Sequence, residues 1–118
     1  ARIEERFSMN ESETIEEEVY HFGETIFCYN NNELRTRSSR VLITSRQADI
    51  LRLLAKNIGN VVSKEMIQEA VWGTVSYANS LAVNVQMTYL RHALQHDATV
   101  KIESLKKKGY VLTLLSEV

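Results

Sequence analysis

The stretch LAVNVQMTYLRHALQ, residues 81–95, restricts the possible folds of this chain more than any other segment. Its apolar side chains recur at intervals of four, three and four residues, at Val83, Met87, Leu90 and Leu94. This spacing is typical of a helix that buries one face, because residues three and four apart lie on the same side. It predicts a long helix over residues 79–95. The stretch contains one side chain that is always cationic, Arg91.

Two shorter helices are predicted before this segment, over residues 45–58 and 63–72. Thr44 and Gln47 have the spacing of a capping box, in which each side chain bonds a free backbone N–H of the first turn. Gly59 would end the first helix, because glycine readily adopts a positive φ. In the second helix we expect one inward stripe, formed by Met66, Ile67, Ala70 and Val71.

Strand patterns flank the three helices. Residues 19–43 contain short β-branched and aromatic runs with turn residues between them, which predicts three or four antiparallel strands. Residues 99–115 alternate on both sides of LKKKGY, which predicts a hairpin with Lys106, Lys107 and Lys108 at its tip, where Gly109 would allow a tight turn. The predicted fold is therefore α+β: a winged helix-turn-helix with an N-terminal antiparallel β-sheet, a three-helix core and a C-terminal β-hairpin wing.

Charge is unevenly distributed along the chain, although the formal net charge is only −1. Residues 1–18 contain two arginines and seven glutamates, a net charge of −5, and their low hydrophobicity is typical of a flexible tail or linker. Residues 19–118 contain 12 basic and 8 acidic residues, a net charge of +4. We therefore predict an acidic tail followed by one mildly basic domain that could bind a polyanion.

Several classes of function find no support in the sequence. Cys28 is the only cysteine, which excludes an internal disulfide and fits a reducing, cytoplasmic compartment. No apolar run reaches the length needed to cross a bilayer. His92 and His96 are four residues apart on the predicted helix but lack a third ligand, so we predict no metal site. Since phosphate-binding loops, nucleophile elbows and paired carboxylates are missing, we predict neither an enzyme nor a cofactor nor a small-molecule substrate.

Three segments carry a resemblance to a known family: ITSRQADILRLLAKNIGNVVSKEMIQEAVWG, NSLAVNVQMTYLRHAL and IESLKKKGYVL. Together they resemble OmpR/PhoB-type effector domains, the winged-helix DNA-binding domains of bacterial transcription regulators, from about residue 20 to residue 114. The segment between Val75 and Leu81 is similar to the ToxR-like branch of that family. This resemblance implies that the domain could be the cytoplasmic part of a regulator anchored in the inner membrane.

The resemblance also implies which side chains contact DNA. Groove contacts are expected on the third helix, the recognition helix, at Gln86, Thr88, Tyr89 and Arg91, with Leu81 and Val85 packing on thymine methyl groups. Wing and backbone contacts are expected at Ser104, Lys106, Lys107, Lys108 and Tyr110. Many family members carry basic residues where this chain has Leu81, Thr88 and Tyr89. For Trp72, core packing and a phosphate contact both remain open.

We therefore expect sequence-specific binding of double-stranded promoter DNA, with the recognition helix in the major groove and the wing at the minor groove. Pairing of two copies on DNA, as a homodimer or in tandem, is expected because one such domain covers few base pairs. The alternative is a winged helix that serves as a protein-interaction module. In that case Leu81, Val85 and Tyr89 would contact a co-regulator or RNA polymerase, because together they form an exposed apolar surface.

Overall fold

The computed structural model describes residues 17–115 and confirms the predicted fold class. Six strands and three α-helices follow one another as β1 (Val19–Phe22), β2 (Thr25–Cys28), β3 (Glu33–Arg35), β4 (Arg40–Leu42), α1 (Ser45–Lys56), α2 (Lys64–Trp72), α3 (Tyr77–Ala93), β5 (Val100–Leu105) and β6 (Gly109–Leu114). A short 3-10 turn, Tyr29–Asn31, connects β2 to β3. One hydrophobic core joins the helices to both sheets.

The N-terminal sheet is an antiparallel meander in the order β1-β2-β3-β4. Side chains alternate between its faces, so the aligned residues Tyr20, Phe27 and Leu34 share the face toward the core. Phe27 is fully buried, and its ring stacks on that of Tyr20 with 5.9 Å between centroids. On the other face, the buried carboxylate of Glu33 lies between the guanidinium groups of Arg35 and Arg40, which offset the cost of burying its charge.

Glu18 belongs to the folded domain, although the predicted tail included it. Its carboxylate accepts hydrogen bonds from the Tyr20 hydroxyl and from Nε of Arg52, the latter at 2.5 Å. These two bonds lower the pKa of Glu18. They attach the start of β1 to α1, which the sequence analysis missed because Arg52 lies far along the chain. The rest of the predicted tail, apart from Glu17, lies outside the described residues.

The first helix begins as predicted and ends earlier than predicted. The Thr44 hydroxyl accepts a hydrogen bond from the Gln47 backbone N–H at 3.1 Å. In return, the Gln47 side-chain carbonyl accepts a hydrogen bond from the Thr44 backbone N–H at 3.0 Å. The helix ends at Lys56 instead of residue 58. Asn57 caps it by donating its side-chain amide to the Leu53 carbonyl at 2.8 Å, and the chain then turns toward the C-terminal hairpin.

The inward face of α2 differs from the predicted stripe. Ile67 is fully buried and Val71 is partly buried, but Met66 is half exposed and Ala70 is exposed. Gln68 is buried instead, because its side-chain carbonyl accepts the backbone N–H of Ser76 in the loop before α3, at 2.9 Å. The loop requires a polar acceptor on this side of the helix, so hydrophobic periodicity placed Ile67 and Val71 correctly but was wrong for Met66 and Ala70.

The long helix α3 spans Tyr77–Ala93, two residues earlier at each end than the predicted 79–95. Ser76 begins it by accepting the backbone N–H of Asn79 at 3.0 Å, a local cap that makes the first turn helical. In the predicted stripe, Val83, Met87 and Leu90 are fully buried, and Leu94, the residue that caps the helix, is also buried. His96 lies in the turn after the helix, so His92 and His96 are not on one helix as predicted.

Strands β5 and β6 form the wing hairpin, in which Ser104 lies opposite Tyr110. The segment between α1 and α2 pairs with β6: the backbone groups of Val62 and Tyr110 exchange two hydrogen bonds, at 2.8 and 2.9 Å. The left-handed residue of the turn is Lys107, with φ 65°. Gly109, which the sequence analysis assigned to the turn, is required for a different reason: a Cβ there would lie 2.1 Å from the carbonyl oxygen of Val62.

Asp97 joins the N-terminal sheet to the loop between α3 and β5. Its buried carboxylate accepts the backbone N–H of Glu24 at 2.8 Å, the Thr25 hydroxyl at 2.7 Å and the backbone N–H of Thr99 at 2.9 Å. Burial alone would raise the pKa of Asp97, but the hydrogen bonds from the Thr99 and Thr25 hydroxyls and from backbone N–H groups outweigh it, so the pKa is lowered. The ionised carboxylate therefore stabilises the fold.

We expect Asp97→Asn to lower the free energy of unfolding by about 3 kcal/mol at neutral pH. The substitution replaces one accepting carboxylate oxygen by an NH₂ group, a donor that would face the donors already bonded to Asp97. The folded pKa lies below the unfolded value of about 3.9, so this contribution is present above that pH and is lost as pH falls through the folded pKa. The difference between variant and wild type should therefore shrink in acid. Urea denaturation at several pH values measures it.

Glu103→Gln is the matched control, since Glu103 is partly exposed and pairs with Lys101 at 3.5 Å. It should change stability by no more than about 0.5 kcal/mol at any pH. Equal losses for the two variants would show that the Asp97 junction does not stabilise the fold.

Candidate nucleic-acid interface

The outer face of α3 carries a continuous exposed stripe of apolar side chains. Its members are spaced four residues apart and lie opposite the buried face, with exposed fractions of 81% for Tyr77, 47% for Leu81, 50% for Val85 and 56% for Tyr89. None of them bears a charge. Large exposed apolar side chains that adjoin one another are typical of contact surfaces, so this stripe is the first component of the candidate site.

Two polar residues predicted as base contacts have different environments. Thr88 is exposed, and its hydroxyl donates to the carbonyl of Asn84 at 3.2 Å, so the lone pairs of Oγ1 remain available to accept. Gln86 is partly buried, and its side-chain carbonyl oxygen is buried without a hydrogen-bond partner among residues 17–115. Gln86 therefore lies beside the exposed face, whereas Thr88 lies on it.

Arg91 lies against the wing. Its Nε donates to the carbonyl oxygen of Ile102 in β5 at 3.1 Å, and its guanidinium carbon lies 5.9 Å from the centre of the Tyr110 ring. Arg91 was predicted to be a groove contact. In the structure it also holds α3 and the hairpin together, because one of its donors is committed to the hairpin backbone.

The hairpin tip presents exposed lysines next to α3. Lys106, Lys107 and Lys108 form the turn, and the Lys108 backbone N–H closes it by donating to the Leu105 carbonyl at 2.9 Å. Ser104 is exposed in the strand leading to the tip. Three adjacent cations on a backbone fixed by hydrogen bonds supply the positive charge that the exposed face of α3 lacks.

Tyr110 connects the wing to α3. Its ring is buried, and its hydroxyl donates to the side-chain carbonyl oxygen of Asn84 at 2.8 Å. Burial raises the pKa of Tyr110, so the hydroxyl keeps its proton and remains a donor at neutral pH. Tyr110 therefore braces the wing, while the DNA contact expected at this position stays a prediction.

Trp72 has a different neighbourhood. It is the last residue of α2 and packs against the core, and the Arg46 guanidinium carbon lies 4.7 Å from the centre of its ring. This cation–π contact attaches the end of α2 to the start of α1. The packing favours a structural role for the ring, while the predicted phosphate contact of Trp72 stays a prediction.

Sequence reasoning missed three residues of this surface. Tyr77 extends the exposed stripe by one turn, a signal present in its four-residue spacing from Leu81. Asn84 and Lys64 lie together beside the wing. No local pattern could have found these two, because they come from different helices and meet only in the fold.

Among residues 17–115, no group of three or more His, Cys, Asp or Glu side chains is arranged to hold a metal ion. No helix within the same range is long and apolar enough to cross a membrane.

A four-stranded sheet, three helices and a hairpin that is hydrogen-bonded to the outward side of α3 define a winged helix-turn-helix domain. The chain belongs to the family described as "Transcriptional regulatory protein, C terminal", whose model matches residues 38–112.

Curated relatives are longer than this chain. The response regulator ArlR of Staphylococcus aureus is 32% identical over 81 residues, which cover 68% of this chain and 37% of that protein. Transcriptional regulatory protein RprY of Bacteroides fragilis is 25% identical over 97 residues, covering 82% of this chain and 41% of its own length. The chain thus spans less than half of the curated relatives it matches.

Solved structures share the fold. The DNA-binding domain of Escherichia coli CadC superposes with a TM-score of 0.72 at 23% identity, covering 84% of this chain and 95% of that domain. The Klebsiella pneumoniae RstA DNA-binding domain, whose structure is a complex with the RstA box, superposes with a TM-score of 0.69 at 22% identity, covering 80% of this chain and 96% of that domain.

Proposed function

We propose that this domain binds double-stranded promoter DNA sequence-specifically, as part of a bacterial transcription regulator. The observation that supports the proposal most strongly is the exposed stripe of α3 next to a hairpin tip of three lysines. A helix fits the major groove, and a basic hairpin beside it reaches the neighbouring minor groove or backbone. Family membership and the DNA-bound RstA domain of the same fold support the same function.

The proposed contacts divide into base readers and backbone binders. Leu81, Val85 and Tyr89 would pack on thymine methyl groups, and Thr88 would bond a base edge. These four side chains favour A·T pairs because none of them is the arginine or lysine that usually recognises guanine. Gln86 would have to rotate out of its partly buried position before it could read adenine.

Wing side chains would supply affinity without much sequence information. Lys106, Lys107 and Lys108 would neutralise phosphates or enter the minor groove, with Ser104 adding a neutral contact. Arg91 would contribute charge from its free guanidinium nitrogens while Nε holds the wing. Because one domain covers few base pairs, two copies would bind neighbouring half-sites as a homodimer or in tandem.

The cellular context is also a proposal. We place the domain in the cytoplasm, without enzymatic activity, cofactor or small-molecule substrate. A place in the ToxR-like branch, at the cytoplasmic end of a membrane-anchored regulator, is supported by the sequence between Val75 and Leu81 and by the fold shared with CadC. A hydrophobic segment of bilayer length in the complete protein would support anchoring, and a phospho-acceptor domain in its place would contradict it.

One observation favours a second function. The stripe of Leu81, Val85 and Tyr89 carries no cation, so it could equally pack against a co-regulator or RNA polymerase. In that case the wing lysines would be a solvated turn.

A salt titration with a short random-sequence duplex separates the two functions. Binding through the wing requires that the logarithm of affinity fall linearly with the logarithm of salt concentration, because the release of counterions from the DNA gains less entropy as the salt concentration rises. We expect a steep negative slope for the wild-type protein. Affinity that is independent of salt would favour the protein-interaction module.

A further inference from the structure

A cleft of about 330 Å³ lies between α1 and the end of α2. Leu53, Ala70 and Val71 give it an apolar lining. Ala70 was predicted to face the core but is exposed in this cleft, and Leu53 and Val71 are only partly buried. Apolar side chains that line a concave surface of this size are typical of a site that receives another apolar group.

The polar part of the lining carries net positive charge. Arg52 and Lys56 lie one turn apart on α1, and among the described residues Asp49 supplies the single carboxylate of the cleft. This carboxylate already accepts the Tyr29 hydroxyl at 2.6 Å. An acidic segment that contains one apolar side chain would therefore match the cleft in both charge and polarity.

The start of the domain lies at the rim of this cleft. The backbone carbonyl of Glu18 accepts the N–H of Tyr29 at 3.0 Å, and the backbone N–H of Glu18 donates to the side-chain carbonyl of Asn30 at 2.7 Å. The Glu18 carboxylate accepts from Nε of Arg52 at 2.5 Å. Tyr29 and Arg52 both line the cleft, so these bonds fix the point at which the chain enters the domain.

The residues before Glu18 have the composition that the cleft requires. In NESETIEEE, residues 10–18, five residues are glutamates and Ile15 is the only apolar residue. Ile15 comes three residues before Glu18, a distance of at most about 10 Å along the chain. A tether this short gives an effective concentration on the order of millimolar, so even a weak contact would be populated.

We propose that residues 13–16 dock into this cleft, with the Ile15 side chain on its apolar lining and with Glu13 and Glu16 paired to Lys56. The docked segment extends the attachment of β1 to the helices and fixes the direction in which the preceding chain leaves the domain. No described residue of α3 or of the wing lines the cleft. Docking is therefore independent of the proposed DNA binding, and either can be wrong without the other.

Methyl NMR of the whole chain tests the docked position directly. The δ1 methyl of Ile15 should give nuclear Overhauser cross-peaks to the methyl groups of Leu53, Ala70 and Val71. Ile3, in the same acidic segment, is the matched control and should give none. If Ile15 gave none either, docking would be overturned and the cleft would be left to a separate partner.

Isotope dilution separates this chain's own segment from that of a second copy. Mixing the labelled chain with an excess of unlabelled chain should leave the cross-peaks of Ile15 unchanged for each labelled molecule. Their loss on dilution would mean that the segment of a second copy occupies the cleft, which would contradict docking within one chain.

Urea denaturation measures what the contact contributes. Ile15→Ala should raise the equilibrium constant for unfolding about fivefold, because apolar surface returns to water, and Ile3→Ala should leave it unchanged. Ala70→Glu puts a negative charge on the exposed lining, so it should cause a similar loss in the wild type but little in an Ile15→Ala background. Additive losses, or equal effects of Ile15→Ala and Ile3→Ala, would overturn the proposal.

Discussion

Replacing Lys106, Lys107 and Lys108 together by glutamine should weaken binding to any duplex by about a hundredfold at physiological salt. The reason is electrostatic, because α3 presents an uncharged stripe and these lysines supply positive charge on the same side of the domain. The salt slope should also become shallower by about three, one for each phosphate that is no longer neutralised. Anisotropy titrations across a range of salt concentrations measure both quantities.

Lys56→Gln with Lys101→Gln is the control for this prediction, since both lysines are exposed and neither belongs to the hairpin tip. The control should bind nearly as the wild type does. If the triple variant retained wild-type affinity and slope, the hairpin would not be a DNA-binding wing.

Gly109→Ala should be the most destabilising single substitution considered, at about 3 kcal/mol or more. The added Cβ would lie 2.1 Å from the Val62 carbonyl oxygen and 2.8 Å from Cα of Ser63, both backbone atoms that side-chain rotation cannot move. The φ of 140° is also unfavourable for alanine. Chemical denaturation of the variant measures the loss.

Gly59→Ala separates steric conflict from conformational preference. Gly59 also has a positive φ, of 82°, but a Cβ there would meet nothing within 4 Å. Its substitution should cost only about 1–2 kcal/mol, the ordinary penalty of the left-handed region. Similar losses at both positions would contradict close packing of the hairpin against the segment before α2.

The helical part of the fold could be predicted because its signals are local. The capping box of Thr44 and Gln47 needs only four consecutive residues, and both of its bonds form. The stripe of Val83, Met87 and Leu90 is fully buried because a helix places those spacings on one side regardless of its neighbours.

The remaining features depend on partners that are distant in sequence. Gln68 is buried because a backbone N–H eight residues later needs an acceptor, and this demand overrides the hydrophobic pattern of α2. Asn84 acquires its orientation from Tyr110, 26 residues away. Gln86 was predicted to contact the groove, and its partial burial depends on how α3 packs in the fold. The spacing of residues along one helix does not show which distant residues will bond to it or cover it.

Selection from a randomised duplex library tests the central claim most directly, namely that the uncharged face of α3 reads base sequence. The wild-type protein should enrich a short motif rich in A·T pairs. Tyr89→Ala should still bind DNA but lose about tenfold preference at one or two positions of that motif. Enrichment of no motif by the wild type, or of the same motif with the same strength by the variant, would contradict sequence reading by this helix.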